Sequence, residues 1–94
     1  MEAVEERSRR VSDWAQQYYA AHRAELPRRQ QISNDQLGED GEWALVGENV
    51  VIARIEAHMM TAPEHAEVSA LAAEGFFTAW IREQISVYAP AIAA

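Results

Sequence analysis

The stretch WALVGENVVIARIEAHMM, residues 43–60, decides between an all-helical chain and a mixed one. Read as a helix, it places Trp43, Val46, Val50, Ala53, Ala57 and Met60 on one side and Leu45, Ile52, Ile55 and Met59 roughly opposite. Read as a hairpin, it makes strands of Trp43 to Val46 and Val50 to Ile55 joined by Gly47, Glu48 and Asn49, and the β-branched run Val50, Val51, Ile52 favours that reading. The length of the segment and its tail of Ala, Arg, Glu and Met after Ile52 favour the helix, predicted over about 42–60. A helix apolar on two sides needs neighbours on two sides.

On the C-terminal side, Thr61, Ala62, Pro63 and Glu64 spell a helix start. Thr61 can cap, Pro63 suits the first turn, and Glu64 completes a Thr-x-x-Glu capping box. The spacing predicts one helix over about 62–88, ending ahead of Pro90, with the last residues, APAIAA, as a frayed end. As a single helix its apolar arc is very wide: Val68, Ala72, Phe76, Ala79 and Trp80 continue through Phe77, Ile81, Ile85 and Tyr88. A surface helix ordinarily buries an arc of little more than about 100°. Gly75, among the small residues Ala70, Ala72, Ala73 and Ala79, reads as room for a second helix to come close.

On the N-terminal side, Val4, Val11, Trp14, Tyr18 and Ala21 or His22 form one stripe, which predicts a helix over about 3–25 stopped by Pro27. From Pro27 to Gly41 the chain is rich in turn formers (Ser33, Asn34, Asp35, Gly38, Asp40, Gly41), so a polar linker with at most a short helical turn is expected at about 27–41. The fold class that follows is all-α: a single small domain of three helices, expected to pair as a homodimer.

The chain has 94 residues, which fits one domain, and one this small buries roughly 60 to 65% of the surface of its unfolded chain. It has no cysteine, so disulfides and thiolate metal sites are excluded, and association with another chain is the remaining way to reinforce it. The N-terminal MEAVEERSRR has no apolar stretch behind it, and no apolar run reaches the 18 or so residues of a membrane helix, so a cytoplasmic protein without membrane contact is expected. All eight basic residues are arginine and alanine is abundant, a composition associated with high-GC bacterial genomes.

The net charge of −7 is uneven. Residues 1–31 hold six Arg against five acids, whereas residues 32–94 hold Arg54 and Arg82 against ten acids. The acidic part repels phosphate, which makes nucleic acid an unfavoured partner and a basic protein surface a favoured one. Arg7, Arg9, Arg10, Arg28 and Arg29 leave a DNA-binding regulator as the alternative, although Glu2, Glu5, Glu6 and Asp13 lie within helical reach of the first cluster.

No motif carries a reaction. The residues three before His22, His58 and His65 are Tyr19, Ile55 and Ala62, so the Glu-x-x-His of di-iron bundles is missing, as is His-Glu-x-x-His. His58 and His65 flank a helix break and could approach each other, but nothing anchors them as ligands. Serines 8, 12, 33, 69 and 86 sit in no nucleophile elbow, and a chain without lysine has no P-loop or Schiff base. Neither catalysis nor a metal or other cofactor is therefore expected. A second alternative, a dimeric ligand-binding protein or enzyme, would place a pocket near Trp43, His58 and Tyr88.

Surplus apolar surface is the remaining signal, and large exposed apolar patches mark protein interfaces. The residues expected at a protein-binding or dimer interface are Trp43, Val50, Met59, Met60, Phe76, Phe77, Trp80, Ile81, Ile85 and Tyr88. The function expected is a small acidic regulatory or inhibitory module that occludes a surface of a larger bacterial protein, such as a transcription regulator or toxin, in the manner of antiactivators, immunity proteins and inhibitors.

Overall fold

The computed structural model describes residues 2–90, and these are helical without a strand. The described α-helices are α1 (Val4–His22), α2 (Arg28–Glu39), α3 (Trp43–Glu56), α4 (Ala62–Ala73) and α5 (Ala79–Val87), and a 3-10 turn, Arg23–Glu25, follows α1. Five helices replace the three expected, and the expected frayed end falls largely at 91–94, outside the described residues. The chain divides into two compact units, residues 1–50 and 51–94, with the division inside α3.

The 43–60 question is decided for helix, over Trp43–Glu56. Val46, Val50 and Val51 are fully buried on it, so β-branched residues are held helical by packing that outweighs their strand preference.

In the first unit, Val11, Ala15, Tyr18 and Tyr19 form the buried stripe of α1. The expected stripe is shortened: Val4 is 79% exposed and every residue from 3 to 10 is exposed, so the core starts at Val11. Trp14 and Tyr18 stack with ring centres 4.7 Å apart, and His22 meets Tyr18 edge-on at 4.9 Å, an i, i+4, i+8 ladder along one face.

The expected linker at 27–41 is instead α2, twelve residues long. Two of its turn formers, Asn34 and Asp35, have side-chain partners outside the helix. The buried Asn34 amide donates to the Gln30 carbonyl at 2.8 Å and accepts from Asn49 Nδ2 at 3.0 Å, and Asp35 is gripped from α1 and the 3-10 turn. The Asn34 Oδ1 and the Asp35 carboxylate are taken up by side chains of other elements, and the Asn34 amide N–H bonds back to the preceding turn of its own helix, so these residues stay helical against their turn propensity.

In the second unit, the capping box is present as expected: Glu64 N–H donates to Thr61 Oγ1 and Thr61 N–H donates to Glu64 Oε1, with Pro63 in the first turn. The single helix expected over 62–88 is broken. α4 stops at Ala73, and α5 restarts at Ala79 behind Thr78, whose extended backbone precedes it. Gly75 is the reason. It takes φ 87° while its N–H donates to the Ala72 carbonyl and Phe76 N–H donates to the Leu71 carbonyl, the paired bonds of a left-handed helix stop. Gly75 thus ends a helix rather than admitting a neighbouring one. The same bond pair closes α2 at Gly41 (φ 79°) and α3 at His58 (φ 55°), the one non-glycine residue in this conformation among the described residues.

Arg54 ties the end of α3 to the start of α4. Its guanidinium reaches Glu64 through Nε at 2.6 Å and Nη2 at 2.7 Å, and Nη2 also donates to the Met59 carbonyl. Both side chains are nearly buried, at 7% and 11% exposed. A fork-to-fork pair in that setting fixes the angle of the 57–61 connection as well as its charge balance.

Candidate interaction surface

The break at Gly75 redistributes the ten residues expected at an interface. Phe76 and Phe77 lie in the connection between α4 and α5, buried and edge-to-face with ring centres 6.4 Å apart. Ile81 and Ile85 are the buried face of α5, and Met60 and Val50 are buried as well. Six of the ten are therefore interior within the single chain and offer no surface. The wide apolar arc belongs to no single helix: it is divided among α4, α5 and the connection between them.

Trp43 is half-buried in the first unit, and the reason lies in α2. A Cβ on Gly38 would stand 2.6 Å from Trp43 Cη2, so the indole lies over the bare backbone of Gly38, with Tyr19 at 6.5 Å between ring centres. Tyr88 is half-buried in the second unit. Its hydroxyl donates to the Met60 carbonyl at 3.0 Å, and its ring faces His58 and His65 at centre distances of 6.5 and 5.7 Å. The two histidines thus share Tyr88 as a common neighbour. His65 is committed further: Nε2 lies 2.8 Å from the Ile85 carbonyl, which only accepts, so Nε2 carries the proton and donates. Among the described residues no three His, Asp or Glu side chains gather as a metal cage.

Met59 and Trp80 remain exposed, Trp80 at 56%. Val87 joins them at 71% exposed and is not among the ten expected residues. Its signal was available: Val87 follows Trp80 by seven positions, two turns of the same helix, and therefore shares its side. Opposite the buried Ile81 and Ile85, the outward side of α5 thus runs Trp80, Glu83, Val87. Arg82 falls on the far edge of that side, and its Nη1 is drawn back to the Phe77 carbonyl at 3.1 Å. Leu45 and Ile32 are exposed in the first unit, on α3 and α2.

The strongest charge cluster is Tyr19, Arg23 and Asp35, in the first unit. Arg23 meets Asp35 through Nε at 3.0 Å and Nη2 at 2.6 Å, and the Tyr19 hydroxyl donates to Asp35 Oδ1 at 2.7 Å. The hydrogen bonds from Arg23, then Tyr19, hold the Asp35 carboxyl down at about 2. Burial, then the hydrogen bond to Asp35, pushes the Tyr19 phenol up. All three groups satisfy one another, so the cluster clamps α2 to α1 and presents no poised acid or base. At the N-terminus, Glu2 is held below the ordinary carboxylate range chiefly by its hydrogen bond to Arg10, with Arg7 at 3.7 Å.

No protein family, curated protein or solved structure matches the chain. No helix among the described residues is long and apolar enough to cross a membrane.

Proposed function

We propose that the chain is a small acidic regulatory or inhibitory binding module that occludes a surface of a larger protein, of the antiactivator, immunity or inhibitor kind. The observation that carries this reading is the outward side of α5, where Trp80 and Val87 stand exposed although the same helix buries Ile81 and Ile85 efficiently. Leaving a tryptophan in water forfeits the largest apolar payload any side chain offers, and tryptophan is the residue most enriched among binding hot spots. The net charge of −7 favours a basic partner surface.

Nucleic acid gains no support from the arginines. Arg7 and Arg10 pair with Glu2, and Arg23 with Asp35, so three of the six arginines in residues 1–31 already have carboxylate partners. The test is affinity capture from a host lysate by the wild-type chain and by Trp80→Ala, read by mass spectrometry. A partner retained by the wild type and lost with the variant is expected. Identical recoveries would remove the basis of the reading.

A further inference from the structure

Trp80 and Glu83 are three residues apart on α5, and such positions are side by side on a helix surface. Their combination is chemically specific. An exposed indole face attracts a cation, most favourably a planar guanidinium that can stack on it. A carboxylate beside that face accepts the fork of the same guanidinium. Glu83 has no ion pair among the described residues, whereas Arg82, the nearest cation in sequence, lies towards the far edge and is bound to the Phe77 carbonyl. Val87, one turn beyond Glu83, supplies an apolar shelf for an aliphatic neighbour of the incoming cation.

The charge of the second unit selects among occupants. Residues 51–94 carry five Glu and two Arg, so the unit that holds the face is itself acidic, and Glu83 is the carboxylate on the face. A second copy would bring a further −7 towards this face. A cationic segment is drawn to it instead.

Resting on the binding-module reading above, we propose that the α5 face Trp80–Glu83–Val87 receives an arginine-bearing segment of a partner protein. The guanidinium stacks on the Trp80 indole and pairs with the Glu83 carboxylate, and an adjacent aliphatic residue lies against Val87.

The full ¹⁵N-labelled chain is titrated with a blocked alanine-based helical peptide carrying Arg and Leu three residues apart, and with the same peptide carrying citrulline for Arg. Citrulline keeps the shape and removes the charge. Shifts are expected at the Trp80 indole N–H and across 79–87, with citrulline weakening binding about fivefold or more. Trp80→Ala and Glu83→Gln, both at exposed positions, should each weaken the arginine peptide by a similar factor, while Glu42→Gln, an equal charge change in the first unit, should not.

Equal binding of the two peptides, shifts away from α5, or equal weakening by Glu42→Gln would overturn the proposal. So would self-association in a sedimentation series that Trp80→Ala abolishes, which would give the face to a second copy. If Trp80→Ala loses a host partner while arginine and citrulline peptides behave alike, the arginine assignment falls and the binding-module reading stands. If neither is observed, both fall.

Discussion

Gly47 of α3 lies against Trp14 of α1 so closely that a Cβ on the glycine would stand 2.9 Å from the indole Cζ3. The same Cβ would meet the Cβ of Ala15 at 3.1 Å, and Ala15 is fully buried. An alanine Cβ cannot swing aside as the end of a long side chain can. Gly47→Ala is therefore expected to destabilise the chain by about 1 kcal/mol or more, the cost of overpacking exceeding the gain of about 1 kcal/mol in helix propensity. Gly38→Ala should cost less, because what it meets is the outer ring of a half-buried Trp43. Urea midpoints of the two variants check the order, and a stabilised Gly47→Ala would contradict it.

Arg54 and Glu64 form a nearly buried ion pair, and its members differ in what their loss leaves behind. Arg54→Met strands a carboxylate and frees the Met59 carbonyl, whereas Glu64→Gln keeps a group that can still accept from Thr61 N–H. Each should cost on the order of 3 kcal/mol, the price of an uncompensated buried charge, with Arg54→Met the worse. A double-mutant cycle with Arg54→Met and Glu64→Leu should recover part of the loss. Simple additivity of the two would show that the charges are not coupled.

His58 occupies at φ 55° a helix stop that glycine fills at the ends of α2 and α4. His58→Gly should fold with stability within about 0.5 kcal/mol of the parent, relief of left-handed strain offsetting the freer unfolded chain. His58→Val places a β-branched residue in that conformation and should cost about 1–2 kcal/mol. Thermal denaturation of the pair is sufficient, and equal stability of the two variants would refute the strain argument.

The Tyr19–Arg23–Asp35 cluster sets opposite trends at the two ends of the pH scale. The folded Asp35 carboxyl, at about 2, lies below its unfolded value, so its contribution is complete above about 4 and is lost as pH falls towards about 2. Tyr19 is raised in the fold, so the fold favours the neutral phenol. That contribution is complete below about 10 and is lost as pH rises through the higher folded value. Asp35→Asn should flatten the acid limb of a urea-midpoint profile and also reduce the alkaline shift of Tyr19. An unchanged acid limb would mean that other carboxylates govern it.

Neighbouring residues of α5 should separate surface from core. Ile81 is buried, and Ile81→Asp is expected to cost about 3–5 kcal/mol by leaving an unpaired charge inside. Trp80→Ala, at an exposed position, should change stability by less than about 1 kcal/mol. Circular dichroism with denaturant titration checks both, and a Trp80→Ala chain that unfolds would place the indole in the core.

The sequence alone determined the helical class, the α1 span to within a few residues, the capped start of α4 at Thr61 and the acidic charge of the second half. These depend on local propensity, short-range periodicity and composition, which the order of residues encodes directly. That Trp80 and Val87 share one side of a helix, seven positions apart, is legible on the same basis. Tertiary structure decided the rest. Ser33, Asn34 and Asp35 read as turn formers until Asn49, Tyr19 and Arg23 engage two of them and leave α2 helical. Gly75 read as an opening for another helix until the backbone bonds around it made it a stop, which turned four supposed interface residues into interior ones. Propensity is local and weak, whereas satisfied buried polar groups and packed side chains are distant in sequence and outweigh it, so the final arrangement of this chain lay beyond its periodicity.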